Sequence, residues 1–193
     1  TDLVQERSQM TGLPHWAGPH HVALLADGAA EVIPVDAEAR TTVPEAVVLA
    51  SPRGGLVVTD PATGGLRALP QFRDAMLLNL TPSPDGARVA FEVYGGNLFT
   101  MRLDGSGLVD LGPGARPTWS PDGRWVAFMV TADDGHDITS SDLVAVRADG
   151  SERVALTQSP DRLEMNPSWS PDGRALAFDD AVDGALYLLS VSE

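Results

Sequence analysis

The chain has neither cysteine nor lysine among its 193 residues. Without cysteine it has no disulfide, no thiolate metal site and no thiol nucleophile. Without lysine it lacks the Schiff-base amine of many enzymes and the lysine of a phosphate-binding loop. No apolar run approaches the roughly 20 residues that a bilayer-spanning helix requires. We therefore expect no membrane insertion, and we exclude thiol, Schiff-base and phosphate-loop chemistry.

Positive charge is scarce as well. The chain has 27 acidic and 13 basic residues, which give a formal net charge of −14. Binding to nucleic acid without sequence preference depends on neutralising phosphates with basic side chains. An anionic membrane surface repels an acidic protein for the same electrostatic reason. We expect no nucleic-acid partner, and the charge is consistent with solubility, with a cationic partner or with a composition bias of the genome.

A repeated segment is the strongest pattern in the sequence. Residues 117–128 read PTWSPDGRWVAF, residues 167–178 read PSWSPDGRALAF, and residues 80–91 read LTPSPDGARVAF. Two weaker copies begin near residues 15 and 43. Such spacing predicts a repeat architecture in which one structural unit recurs along the chain.

One unit has the turn and strand pattern of a four-stranded meander. Pro121 fixes its φ near −65°, Asp122 can bond its own backbone, and Gly123 can adopt a positive φ, so the three predict a tight turn. Apolar or alternating runs at 118–120, 125–130, 143–147 and 153–156 predict the four strands. A four-stranded meander repeated around a ring is a propeller blade.

We therefore predict an all-β fold, a single β-propeller domain over residues 1–193 with four-stranded blades. Five first strands, starting near residues 14, 40, 78, 116 and 166, predict five blades. The last copy ends after three strands, and residues 1–6 are expected to supply the fourth strand and so protect its edge. The alternative is that this chain forms part of a larger ring.

The unit resembles the WD40-like (PD40) repeat of the TolB family and of prolyl-oligopeptidase-type peptidases. The resemblance rests on 119–124 with Ala127 and Phe128, and on 169–174 with Ala177 and Phe178. It covers most of residues 76–193 clearly and residues 14–70 loosely. It implies a TolB-like propeller that binds proteins or peptides, including an outer-membrane lipoprotein, at the cell envelope. It also implies a periplasmic or other extracytoplasmic location.

Candidate binding residues lie in the variable loops, because loops on a rigid scaffold carry most binding sites. The set comprises Asp133, Asp134, His136 and Asp137 in the insertion 131–142, Asp161, Arg162 and Glu164 in a connector, and Asp179, Asp180 and Asp183 in a second acidic loop. We expect one negative patch that binds a cationic protein or peptide, the alternative being a solvated rim. The turn residues Asp85, Asp122 and Asp172 are expected to be structural.

The sequence favours a non-catalytic binding module without a cofactor. No Gly-x-Ser-x-Gly elbow, zinc signature or nucleotide loop occurs, and three of the four histidines cluster at residues 15–21. The acidic loops lack the regular ligand spacing of a calcium loop, so no metal site is predicted. Two alternatives stay open: a propeller that binds a small molecule or Ca²⁺, and an accessory propeller of a hydrolase or lyase. The sequence leaves the oligomeric state undetermined.

Overall fold

The computed structural model describes residues 15–16, 21–26, 29–34, 47–50, 55–59, 63, 65–69 and 72–191. Before residue 55 it describes the strands and their pairing but not the side chains. The predicted closing strand at residues 1–6 and the predicted first strand near residue 40 lie outside these ranges.

The described residues form five antiparallel sheets, each built from strands that follow one another along the chain. Sheet A contains β1 (His15–Trp16), β2 (His21–Ala26) and β3 (Ala29–Pro34); sheet B contains β4 (Val47–Ala50), β5 (Leu56–Thr59) and β6 (Leu66–Leu69). Sheet C contains β7 (Leu77–Pro82), β8 (Arg88–Val93), β9 (Asn97–Arg102) and β10 (Val109–Pro113). Sheet D contains β11 (Ala115–Trp119), β12 (Trp125–Asp133), β13 (Ile138–Arg147) and β14 (Arg153–Ala155). Sheet E contains β15 (Glu164–Trp169), β16 (Ala175–Asp180) and β17 (Leu186–Ser190). The all-β prediction is confirmed, and sheets C and D are the predicted four-stranded meanders.

The prediction of a long loop at residues 131–142 is wrong. Strand β12 continues to Asp133 and β13 begins at Ile138, with Thr131 opposite Ser141 and Ala132 opposite Ser140. Pairing across the hairpin gives these polar residues a ladder of backbone hydrogen bonds, which their composition alone does not indicate.

The Ser-Pro-Asp-Gly turns repeat one hydrogen-bonded arrangement in sheets C, D and E. In sheet D the Ser120 hydroxyl donates to Asp122 Oδ1 at 2.5 Å and accepts the Trp125 N–H at 2.9 Å. Asp122 Oδ1 also accepts the Arg124 N–H at 3.0 Å, while Gly123 has a φ of +68°. The turns of Asp85 and Asp172 reproduce these contacts. The expected structural role of the three aspartates is thus confirmed.

Neighbouring sheets pack face to face through apolar side chains. Leu98 of sheet C lies in one buried cluster with Phe128 of sheet D, and Leu143 of sheet D lies in another with Phe178 of sheet E. Trp119 adds a polar contact between sheets, since its Nε1 donates to the Thr81 carbonyl oxygen at 2.9 Å. The first strands β7, β11 and β15 contact one another in succession, so they line the inner side of the arrangement.

Among the described residues no helix is long and apolar enough to span a membrane.

Candidate interaction face

The sheets present two edges with different loops, which we call the turn face and the connector face. The turn face carries the Ser-Pro-Asp-Gly turns beside the hairpins at 103–108 and 148–152, as the Ala148 N–H bond to the Arg124 carbonyl oxygen at 2.9 Å shows. The connector face carries the loops at 94–96, 134–137 and 181–185 and the connector at 156–163. The variable loops named by the sequence therefore share one face.

The hairpin of β12 and β13 projects from the connector face, with residues 131–140 exposed. Asp133 Oδ1 accepts the Gly135 N–H at 3.0 Å, and Asp134 Oδ1 accepts the N–H groups of His136 at 3.0 Å and Asp137 at 2.9 Å. These backbone bonds lower the pKa of Asp134, that from Asp137 contributing most. Two of the hairpin's carboxylates thus shape the turn, and all of its acidic side chains face solvent.

Two predicted binding residues, Glu164 and Asp180, belong to the interior. Their exposed fractions are only 1% and 2%. Asp180 Oδ1 accepts the N–H groups of Leu163 at 3.1 Å and Val182 at 2.9 Å. A partner could not touch these side chains directly, so their assignment to a surface patch is corrected.

Polar contacts around Glu164 join the connector to sheet D. The Thr157 hydroxyl donates to Glu164 Oε2 and accepts the Leu143 N–H at 2.8 Å. Ser141, 1% exposed, donates to the Glu164 backbone oxygen at 2.5 Å. A buried carboxylate requires such partners, so these contacts hold the connector in place.

Arg162 and Asp183 meet at Tyr187 on the connector face. The Arg162 Cζ atom lies 3.9 Å from the Tyr187 ring centroid, within the range of a cation–π contact. The Tyr187 hydroxyl donates to Asp183 Oδ2 at 2.6 Å. This bond lowers the pKa of Asp183 and raises the pKa of Tyr187. Asp161, the remaining connector residue of the predicted set, is exposed.

A polar position that no sequence motif indicates recurs on the inner strands. Asn79, Arg116 and Asn166 all have left-handed backbone conformations, with φ of 51°, 57° and 51°. Each sits where the register shifts between the first and second strands of its sheet. Such a bulge turns a side chain out of the regular pleat.

These inner-strand residues engage the acidic residues on the second strands. Asn79 Nδ2 donates to Glu92 Oε2 at 2.8 Å, and the Arg116 N–H of the next sheet reaches the same oxygen at 3.4 Å. Asn166 Nδ2 donates to Asp179 Oδ1 at 3.0 Å. Asp179, one of the predicted residues, is thus held beside the inner strand. Arg116 and Asn166 occupy the same repeat position, directly before Pro-Thr-Trp and Pro-Ser-Trp. Asparagine tolerates the left-handed conformation, so its presence at this position is the one sign of the bulge in the sequence.

The connector face also exposes two large apolar side chains that flank strands β7 and β8 of sheet C. Tyr94 is 69% exposed and Met76 is 61% exposed, and the Tyr94 N–H donates to the Met76 carbonyl oxygen at 2.9 Å. Aromatic residues and methionine are enriched in protein interfaces. The sequence does not indicate either residue, because single apolar residues in short loops form no pattern.

Among the described side chains, no group of three metal-ligating residues is close enough to hold an ion.

Comparisons with known proteins give a fold and no family. No family model and no curated protein sequence matches the chain. A TolB structure from Agrobacterium tumefaciens is 18% identical, with 92% of this chain and 79% of that one covered and a TM-score of 0.51. A puromycin-hydrolysing peptidase from Mycobacterium tuberculosis is 13% identical, with 90% and 33% covered and a TM-score of 0.62. The Cps50 (Swd1) β-propeller domain from Myceliophteria thermophila is 13% identical, with 90% and 66% covered and a TM-score of 0.62.

The sheet arrangement and these likenesses together define a β-propeller, as the sequence predicted. Its fold is similar to that of TolB proteins and also to that of an oligogalacturonate lyase solved with manganese, at a TM-score of 0.58. The chain spans 58% of that lyase and 33% of the peptidase. At these identities the likeness concerns the fold alone, which is compatible with binding and with catalysis.

Proposed function

We propose that this protein is a non-catalytic binding module whose connector face takes a segment of another protein or peptide. The proposal rests on the apolar side chains that the connector face exposes beside acidic ones. Aspartates accept hydrogen bonds from their own turns on both faces, so this bonding alone does not mark a binding face. The connector face adds exposed Tyr94 and Met76 next to the acidic hairpin of the neighbouring sheet.

The chemistry of this face favours a cationic segment that also carries an apolar residue. The hairpin contributes three carboxylates within five residues, Asp133, Asp134 and Asp137. Charges at an interface rim mainly steer association and select partners. An aromatic or methionine contact contributes affinity by burying apolar surface. Tyr94 would then act as the anchor and the hairpin as the selector of positive charge.

The likeness to TolB proteins supports a location outside the cytoplasm as part of the same proposal. A partner of the cell envelope would meet the protein there. The test accordingly begins with proteins of that compartment.

Charge removal on the hairpin provides the test. The triple variant Asp133→Asn, Asp134→Asn and Asp137→Asn keeps side-chain oxygens for the turn and removes three charges. Its matched control, Asp104→Asn, Asp149→Asn and Asp172→Asn, makes the same charge change on the turn face. The wild type and both variants are used to capture proteins from an envelope fraction, and mass spectrometry identifies the captured proteins. The affinity of each form for a purified captured protein is then measured by calorimetry at two salt concentrations.

We expect the hairpin variant to weaken the purified complex and the control to leave it unchanged. At about 0.2–1 kcal/mol for each exposed ion pair, three pairs correspond to a roughly 3- to 150-fold increase in Kd. Raising the salt concentration should narrow this difference, because exposed charges are screened. Equal binding by both variants, or equal loss, would contradict the proposed face.

A further inference from the structure

Arg116 presents a guanidinium on the inner side of the sheets. It lies near the start of β11, at the connector-face end of the strand, because the preceding residue pairs with Met129 toward the acidic hairpin. The side chain is exposed, and within the described part of the chain it makes no hydrogen bond, ion pair or ring contact. A guanidinium carries several N–H donors in one fixed plane. Arg116 therefore offers a set of unused donors to a bound molecule.

The backbone conformation at Arg116 does not favour an arginine. Its φ of 57° is unfavourable for a residue with a β-carbon, and the following Pro117 favours an extended conformation instead. The equivalent positions of sheets C and E hold Asn79 and Asn166, each with a φ of 51°, and asparagine tolerates this region better. Backbone strain of this kind concentrates at functional positions. Local preference thus explains the two asparagines and leaves the arginine unexplained.

The second strands also distinguish sheet D from its neighbours. Glu92 in sheet C and Asp179 in sheet E each accept a hydrogen bond from the asparagine of the same sheet, at 2.8 Å and 3.0 Å. Register places Met129 at the equivalent position of sheet D, and it is only 7% exposed. Glu92 contacts the backbone N–H of Arg116 at 3.4 Å and not its guanidinium. The protein therefore provides a partner for each asparagine and no carboxylate partner for Arg116.

We propose that Arg116 binds a carboxylate of the segment that occupies the connector face. A carboxylate matches the planar guanidinium with two parallel N–H···O bonds, an arrangement that lysine or asparagine cannot reproduce. The inference rests on the proposed function and refines its partner. The segment carries a negative group as well as its positive and apolar ones.

The position of Arg116 suits a segment that also contacts the hairpin and Tyr94. The hairpin continues β12, the strand that pairs with β11 beside Arg116. On the other side, Glu92 contacts the Arg116 N–H and precedes Tyr94 by two residues, which span about 7 Å along a strand. A uniformly cationic segment would be repelled by Arg116, so this residue also adds specificity.

A small carboxylate tests the site directly. The probe is N-acetylglycine, which has a carboxylate beside an amide, and the control ligand is the neutral N-acetylglycinamide. Nitrogen-15 NMR follows the Nε–H signal of Arg116, which is assigned by its loss in Arg116→Asn. That substitution installs the residue present at the equivalent positions of sheets C and E. Arg102→Asn makes the same change at an exposed arginine of the turn face.

We expect N-acetylglycine to shift the Arg116 signal saturably in the wild type and in Arg102→Asn, and the neutral amide to leave it unchanged. Arg116→Asn should bind the probe roughly 10- to 150-fold more weakly, as the loss of a hydrogen bond to a charged group predicts. The same variant should melt at or above the wild-type temperature, because it relieves the backbone strain. No saturable shift in the wild type, an equal shift with the neutral amide, or unchanged binding by Arg116→Asn would overturn the proposal.

Two further arms identify the source of the carboxylate and separate this site from the proposed function. Propionate carries a carboxylate of the side-chain type without the amide. Tighter binding of N-acetylglycine supports the carboxyl terminus of a chain, and equal binding supports an acidic side chain. The hairpin triple variant should bind N-acetylglycine at least as tightly as the wild type, because it removes negative charge. Failure of the hairpin test with a normal Arg116 response therefore contradicts the proposed function alone, and the reverse result contradicts only the carboxylate site.

Discussion

Phenylalanine in place of Trp119 or Trp169 makes one chemical change at equivalent positions of sheets D and E. The two indoles differ in their polar contacts. Trp119 Nε1 donates to the Thr81 carbonyl oxygen at 2.9 Å, and the residue is 6% exposed. Trp169 Nε1 is the one buried side-chain nitrogen or oxygen without a hydrogen-bond partner in the described part of the chain.

These contacts predict different free energies of unfolding for the two variants. Trp119→Phe removes a hydrogen bond whose net contribution is about 1 kcal/mol, and it leaves a small cavity costing roughly 1 kcal/mol more. Trp169→Phe loses a similar ring area, but it also removes a buried donor whose unsatisfied state costs about 1–3 kcal/mol. We expect Trp119→Phe to destabilise by about 2 kcal/mol and Trp169→Phe to be nearly neutral.

Urea unfolding followed by far-ultraviolet circular dichroism measures this difference without relying on tryptophan fluorescence. In a protein of this size about 2 kcal/mol corresponds to roughly 4–8 °C in Tm. An unchanged urea m-value would show that both variants unfold from the same native state. Equal destabilisation by the two substitutions would contradict this prediction, because it would mean that the Thr81 bond contributes nothing.

Two further predictions concern packing and pH. Gly114→Ala should destabilise the protein by about 1–3 kcal/mol through overpacking, because the added β-carbon would lie 2.4 Å from Cδ2 of the buried Phe128. Gly96→Ala is the control, since the nearest atom to its β-carbon would be 3.4 Å away. Urea unfolding should show this control to be nearly neutral. Burial opposes ionisation of Asp122, yet the bonds from Ser120 and Arg124 lower its pKa from 3.8 to about 2. Its stabilising contribution is therefore complete above pH 3.8 and is lost as the pH falls through the folded-state pKa near 2. The pKa shift corresponds to at most about 2.4 kcal/mol of stability. Solvent screening reduces this to roughly 1 kcal/mol, because the Asp122 side chain is 44% exposed. If thermal unfolding of Asp122→Asn at acidic pH shows the wild-type pH dependence, Asp122 is not the group responsible.

Local chemistry made much of the fold predictable from sequence. Pro121, Asp122 and Gly123 determine a turn among themselves, and three copies of that turn reveal the repeat. The strands beside the turns follow from apolar runs that need no knowledge of distant residues. The prediction of five blades stays a prediction, because it depends on residues outside the described ranges.

The candidate site was less predictable because burial depends on neighbouring sheets. Glu164 and Asp180 look like surface acids in the sequence, yet a connector and sheet D enclose the first and backbone N–H groups bind the second. The left-handed conformation of Arg116 is equally hidden, since arginine has no preference for it. Exposure of Tyr94 likewise follows from the packing of a whole sheet.

The order of the strands has a consequence for how the protein forms during synthesis. Every paired strand within the five sheets joins the strand immediately before or after it in the chain. A sheet can therefore assemble as soon as its own residues leave the ribosome, without waiting for distant partners. We expect the sheets to appear one after another from the amino-terminal side. Each completed sheet would then present a ready surface on which the next one condenses.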